Sequence, residues 1–328
     1  MNKLLRLAGR LVTLGVVVAA IWAIINHQRV VDYITVWYTQ TPASVIGLVE
    51  RAGMNQQGVF TYRATQPELA QASSFNKACA KQEEASAILG CYVRDRIYVY
   101  DITDERLDGV REVTATHETL HAIWARLPGK ERERLGKLLD EAYAQNQNEQ
   151  LVERMRYYDR TEPGQRHNEL HSIMGTEFAT LPRELEAYYS RYFHNRQQVV
   201  QLHHQYERKF ANLRGSMTQL KGQLTELAAR VRQQRAQYQV QLDALNHDIE
   251  VFNTEARSGN MDRASYAAQR QQLSERRNQL ERVRADINDQ VATYEQIRQR
   301  YNTHVHESNS LQQALDSSSS LSQPARVQ

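Results

Sequence analysis

From Tyr188 to Leu315 the chain contains no proline, and apolar residues recur at alternating spacings of three and four. Phe210, Leu213, Met217, Leu220, Leu224, Leu227 and Val231 begin the run, and Tyr238, Leu242, Leu245, Ile249 and Phe252 continue it in register. A heptad sustained this long calls for a long helix whose apolar seam is buried against another helix. Ala256-Arg257-Ser258-Gly259-Asn260 interrupts the pattern, which resumes through Leu273, Leu280, Val283, Ile287, Tyr294, Ile297 and Tyr301. Residues 196–315 are therefore expected to form an antiparallel coiled-coil hairpin. Each arm would run about 75–90 Å at roughly 1.5 Å per residue. Residues 316–328 open with Asp316 and four serines and read as a disordered tail.

The charges on these arms are interspersed. Arg196 to Leu315 holds 17 Lys/Arg and 13 Asp/Glu, and the 328-residue chain carries a net charge of only +3. This describes a solvated coiled-coil surface and argues against nucleic-acid binding. Tyr and Phe at heptad positions are seam residues, with no base-stacking role.

The other end of the chain is different. Lys3, Arg6 and Arg10 precede a dense apolar run from Leu11 to Ile25. A basic flank followed by an apolar segment is a signal anchor or a signal peptide. Trp22, Ile24 and Ile25 occupy the places where a cleavage site needs small residues, so residues 1–28 are read as an uncleaved transmembrane anchor. A cleaved signal is the alternative. The positive-inside rule puts the N-terminus in the cytoplasm and the remainder outside the cell membrane. Two cysteines, Cys79 and Cys91, are too few for a Cys-rich metal site, and in an exported domain they are candidates for a disulfide.

Between anchor and arm, residues 29–195 read as one mixed domain. Arg29 to Arg51 looks like a helical stem, Gly58 to Arg63 like a short strand, and Glu68 to Glu84 like a polar helix or loop. Ala87–Val93 and Arg96–Ile102 look like two strands turning at Arg94-Asp95. Helices are expected at Gly109–Leu127, Glu131–Ala144 and Leu151–Tyr158, and another after the turn at Thr161–Gly164.

The stretch His117-Glu118-Thr119-Leu120-His121 carries the chemistry. On a helix, side chains four apart lie on one face, so one metal ion can take both imidazoles. The Glu falls beside them, where it can serve as a base. Two neutral nitrogen ligands, an open position and a base are what a zinc hydrolase needs. Val113, Leu120, Trp124 and Leu127 form an apolar stripe, with both histidines on its shoulder.

A catalytic zinc takes a third protein ligand. The position six residues after His121 is Leu127, so the third ligand must come from further along. Leu170, Ile173, Met174 and Leu181 share one face of the helix expected there, and Glu177 falls in the middle of it. A carboxylate in an apolar stripe costs several kcal/mol unless its charge is compensated. On this argument Glu177 is the expected ligand, with Glu169 and His171 as alternatives.

Taken together, the two helices resemble the active site of zincin metallopeptidases of the gluzincin type, with a His-His-Glu site. Asn168-Glu169-x-x-Ser172 also resembles the second motif of thermolysin-like enzymes, in which the Glu is the ligand, although no Asp follows Ser172 here. Glu184-Leu185-Glu186-Ala187 resembles the E-x-E-A of another membrane zincin group and is read as a helix start after Pro182. The resemblance implies a small sheet beside the motif helix, with substrate bound along an edge strand. Arg96–Ile102 is the expected strand, and His171, Tyr157 or Tyr158 the expected oxyanion donor.

The fold expected is thus an α+β, mainly helical zincin-like domain behind a transmembrane helix, followed by the coiled-coil hairpin. The function expected is a membrane-anchored extracytoplasmic zinc metallopeptidase with Glu118 as general base. Its partners would be a peptide or protein substrate, the membrane, and a protein held by the coiled coil. The competing class is a non-catalytic envelope scaffold with a structural zinc site, and an amidase acting on cell-wall peptides would share the same site.

Overall fold

The computed structural model describes residues 2–79 and 89–317. The chain divides into two compact units, one of residues 1–209 with 311–328, the other Phe210–Ser310.

In the first unit the helices α1 (Asn2–Ile25), α2 (His27–Tyr38), α3 (Ala43–Arg51) and α4 (Gln56–Ala64) come first. Gly58–Arg63, expected as a strand, is part of α4. The β-forming residues Val59, Phe60 and Tyr62 are overridden by an N-cap, because the Asn55 side chain accepts hydrogen bonds from the N–H groups of Gln57 and Gly58. Strand β1 (Glu68–Ala70) and helix α5 (Ala72–Ala78) then divide the segment read as polar helix or loop. The end of that segment and the start of the next expected strand, residues 80–88, lie outside the described residues.

Strands β2 (Gly90–Val93) and β3 (Arg96–Tyr100) form the expected hairpin. Arg94 and Asp95 both take positive φ, 51° and 59°, as a two-residue hairpin turn requires. The sheet order is β1-β3-β2, with β1 parallel and β2 antiparallel to β3. This corrects the expected substrate strand: β3 is central, its main chain is paired on both sides, and β1 and β2 are the outer strands among the described residues.

Helices α6 (Val110–Arg126), α7 (Gly129–Gln145), α8 (Glu149–Thr161), α9 (Arg166–Glu177) and α10 (Arg183–Tyr189) complete the domain. Leu120, Ile123, Leu135, Leu139, Leu151, Met155, Leu170 and Ile173 make its core. Helix α11 (Gln197–Ser258) starts close to the expected boundary at residue 196, but Val199, Val200 and Leu202 of its first turns belong to the same core. The compact unit accordingly extends to Lys209.

In the second unit α11 and α12 (Arg263–Leu315) run antiparallel. Leu227 and Val231 pack with Ile287, Val291, Tyr294 and Ile297, and Phe252 meets Tyr266 at 5.1 Å. Residue numbers on one arm rise as those on the other fall, which is the register of a hairpin closing on itself. The tail does not begin at residue 316 as expected. Ser317 Oγ donates to the Asn76 side chain at 2.7 Å, and the Asn76 amide donates to the Ser317 carbonyl at 3.0 Å. Residues 318–328 lie outside the described residues.

Cys79 and Cys91 form a disulfide, Cα to Cα 5.9 Å, which ties the end of α5 to β2. At its short sequence separation the loop-closure model gives it roughly 2–3 kcal/mol of stability. Helix α2 is fastened by a buried ion pair, in which Arg126 donates to both Asp32 oxygens at 2.9 Å. Removing one partner of a buried pair leaves the other charge uncompensated. Asp32→Ala should therefore lower stability by about 3–5 kcal/mol, more than reduction of the disulfide does. Chemical denaturation of the variant, and of the parent with and without reductant, checks the order.

Candidate metal centre

The site begins with how closely α6 and α9 approach. Gly175 of α9 faces Leu120 of α6, and a Cβ at Gly175 would come within 2.4 Å of the Leu120 side chain. A larger residue there would force the Leu120 side chain to shift and would press on the Tyr189 ring. This contact lays α9 along the face of α6 that carries His117 and His121.

At that spacing Glu169 reaches both histidines. Its carboxylate oxygens lie 3.9 Å from His117 Nε2 and 3.6 Å from His121 Nε2. One ligand atom from each of the three lies within 4.8 Å of the others. Ligands bonded to a tetrahedral ion at about 2.1 Å sit roughly 3.4 Å apart; each histidine approaches a different oxygen of Glu169, so the trio would have to draw in around an ion. His121 Nδ1 is 3.0 Å from the Asn168 side-chain oxygen. That contact calls for a proton on Nδ1 and leaves Nε2 free to ligate, the usual outer-shell arrangement of a metal-binding histidine. The donor set therefore fits a metal ion.

The electrostatics favour a cation at this point. Burial and the neighbouring His121 charge hold His117 well below the usual histidine range. Burial also lowers His121, but the carboxylates of Glu169 and Glu118 outweigh it and raise its pKa. Burial raises Glu169 as well, against the opposing pull of His121. Two buried carboxylates beside two imidazoles would be relieved together by one divalent ion.

Glu118 sits outside the ligand trio. Burial pushes its pKa up to about 7, opposed by the His121 charge and by a hydrogen bond from the Tyr92 main-chain N–H. Strand β2 runs directly over it, since a Cβ at Gly90 would fall 2.8 Å from Glu118 Cγ. A glycine inside a strand often marks such a close approach, and here that sign was present in the sequence. The hairpin register turns the polar groups of Gly90 and Tyr92 away from β3, so the outer edge of β2 faces the base.

Glu177, the expected third ligand, lies elsewhere. Arg154 donates to its two oxygens at 2.6 and 2.7 Å, and His203 Nε2 is 3.7 Å away. The demand for a compensating charge was sound, but a guanidinium from α8 meets it. The helix-face argument failed because α9 is enclosed on all sides: every residue from Glu169 to Thr176 is buried. An apolar stripe cannot pick out the inward face of such a helix, whereas the Asn168-Glu169 pattern did point to the residue that meets the histidines.

His171, the other alternative, is a core residue. Its Nε2 is 3.0 Å from the Tyr188 hydroxyl, its ring lies against Trp124 and Tyr189, and burial pushes its pKa down to about 3. It is accordingly not placed as an oxyanion donor. Of the other two candidates, Tyr158 lies near Glu169, whose charge adds to burial in raising its pKa, while Tyr157 packs edge-on against Tyr158. Glu186, in the segment resembling E-x-E-A, is paired with the buried Arg196. The roles of Arg154 and Asn168 went unread, because both depend on which helices become neighbours.

No family model matches the chain, and neither the curated proteins nor the solved structures contain a match. The reading of the site rests on its own geometry.

Glu169→Ala should abolish stoichiometric metal binding by the purified chain. Glu177→Gln should leave metal content near that of the parent while costing stability, because Arg154 loses its counter-charge. Elemental analysis after dialysis, paired with thermal melting, separates the two. Metal lost from Glu177→Gln and kept in Glu169→Ala would reverse the assignment.

Proposed function

We propose that the chain is a zinc metallopeptidase of the zincin type, anchored in the cell membrane by its N-terminal helix with the peptidase domain outside the cytoplasm. The observation that carries this is the placement of Glu118. It stands beside the His117, His121 and Glu169 donor set, is not part of it, and is aimed at the outer edge of β2. A structural metal site has no use for a buried acid in that place.

Two imidazoles and one carboxylate suit zinc and leave a position open. The bound ion would supply an acidified water and polarise a carbonyl. Every remaining role belongs to the chain. Glu118, buried beside the donor set, would accept a proton from the attacking water and hand it to the departing amine. The outer edge of β2, where main-chain groups of Gly90 turn away from β3, would offer hydrogen bonds to an extended peptide added to the sheet as a further strand. Asn168 holds one of the ligands, His121, in position.

The disulfide supports the extracytoplasmic assignment, because such bonds persist in oxidising compartments. Among the described residues no single helix is long and apolar enough to cross a membrane, and Thr13–Ile25 with His27–Tyr38 meets that requirement only as a pair bent by 89°. The basic flank of Lys3, Arg6 and Arg10 supports the orientation. The α11–α12 hairpin is the part suited to holding a partner or substrate protein.

Glu118→Gln should keep the parent's zinc content and lose roughly 10²–10⁴-fold in cleavage rate. The assay is zinc stoichiometry and turnover of a quenched-fluorescence peptide library by the full chain in detergent. Bound zinc with equal cleavage by parent and variant would sink the enzymatic reading. Bound zinc without cleavage by either would favour the scaffold.

A further inference from the structure

Helix α2 is built inside out. The side that packs on the domain is polar: Asp32 is 5 % exposed and paired with Arg126, and Gln28 donates to Asp32 at 3.1 Å. The side turned away is apolar and aromatic: Trp37 is 79 % exposed, Tyr38 74 %, and Val31 and Ile34 51 % each, while Tyr33, at its margin, meets the Phe60 ring of α4 at 4.9 Å and is still 66 % exposed. In water a surface helix shows the opposite arrangement. An outward apolar face this dense marks an interaction site.

Its position indicates what covers it. α2 follows α1 after a single residue, Asn26, and turns 89° from it. The apolar run Leu11–Ile25 is only about 22 Å long as a helix, short of a hydrocarbon core of about 30 Å. α2 cannot simply complete the span, because straightening would carry Asp32 into lipid and strip it from Arg126. Turned through a right angle, α2 can instead lie along the surface of the membrane that α1 enters. Trp and Tyr, which make up three of the five outward residues, are the side chains that collect at the headgroup level. His27 and Arg29, also exposed, flank the face where anionic headgroups would meet them.

We propose that α2 is an in-plane membrane helix whose outward face of Val31, Tyr33, Ile34, Trp37 and Tyr38 is seated in the headgroup–acyl boundary of the lipid bilayer. This rests on the anchor reading of α1 and is independent of the peptidase reading. Through Asp32 and Arg126 it fastens the C-terminal end of α6, the helix that carries both histidines, to the lipid surface.

The test uses the full chain reconstituted in phosphatidylcholine–phosphatidylglycerol vesicles. One set of vesicles carries bromine near the glycerol end of the acyl chains, the other near the chain terminus. In Trp22→Phe, fluorescence should be quenched several-fold more by the shallow set than by the deep set. In the double variant Trp22→Phe, Trp37→Phe, where Trp124 alone remains, that quenching should disappear. No quenching of Trp22→Phe by either set would put α2 in water or under a protein partner and overturn the proposal. Stronger quenching by the deep set would make α2 part of the span and overturn it as well. Trp37→Phe reports Trp22 and so tests the anchor separately. Quenching there by the deep set, with none in Trp22→Phe, sinks only the in-plane helix, whereas a chain that fails to float with vesicles sinks both.

Discussion

The close packing of α9 on α6, with Gly175 against the Leu120 side chain, is what the site depends on. A metal-binding motif on one helix is incomplete, because two imidazoles cannot enclose an ion. The third donor must come from a helix close enough that a Glu side chain spans the gap. A glycine at the crossing point permits that approach, and Glu169, nearly two turns N-terminal to it on α9, is the residue brought to the histidines.

Buried charge is the second organising constraint, since a charge taken from water must be matched or neutralised. Asp32 meets Arg126, Glu177 meets Arg154, and Arg196 meets Glu186. The first two pairs join separate helices, α2 with α6 and α8 with α9, so compensation and architecture coincide. Glu118 and Glu169 are different. They are buried, both are raised by burial, and no guanidinium hydrogen-bonds to either among the described residues. What faces them is a pair of imidazoles, an arrangement more readily explained by a shared cation than by folding stability.

The N-terminal helices extend the same logic to the solvent. α2 turns its charge inward and its aromatic residues outward, the reverse of a helix that faces water. Because Arg126 lies at the end of α6, the element with this apolar outer face and the element that carries the site share one ion pair. Arg126 also donates to the Tyr92 hydroxyl on β2, so the strand over Glu118 belongs to the same network.

Local pattern determined much of this protein. The heptads and the missing prolines prescribed the long C-terminal helices, the alternation around Arg94-Asp95 prescribed the hairpin, and the spacing of His117, Glu118 and His121 placed two donors and a base on one face. These depend on residues a few positions apart, where helix and strand periods govern. The Asn55 cap that makes Gly58–Arg63 helical is local as well, whereas only the tertiary structure decided that β3 is central with β2 an outer strand, and that Glu169 rather than Glu177 joins the histidines. Each turns on which elements become neighbours. An enclosed helix such as α9 has no exposed face to orient it, and the charge that satisfies Glu177 comes from Arg154, on a different helix. Periodicity reports one helix's environment, whereas a metal centre needs the geometry of two.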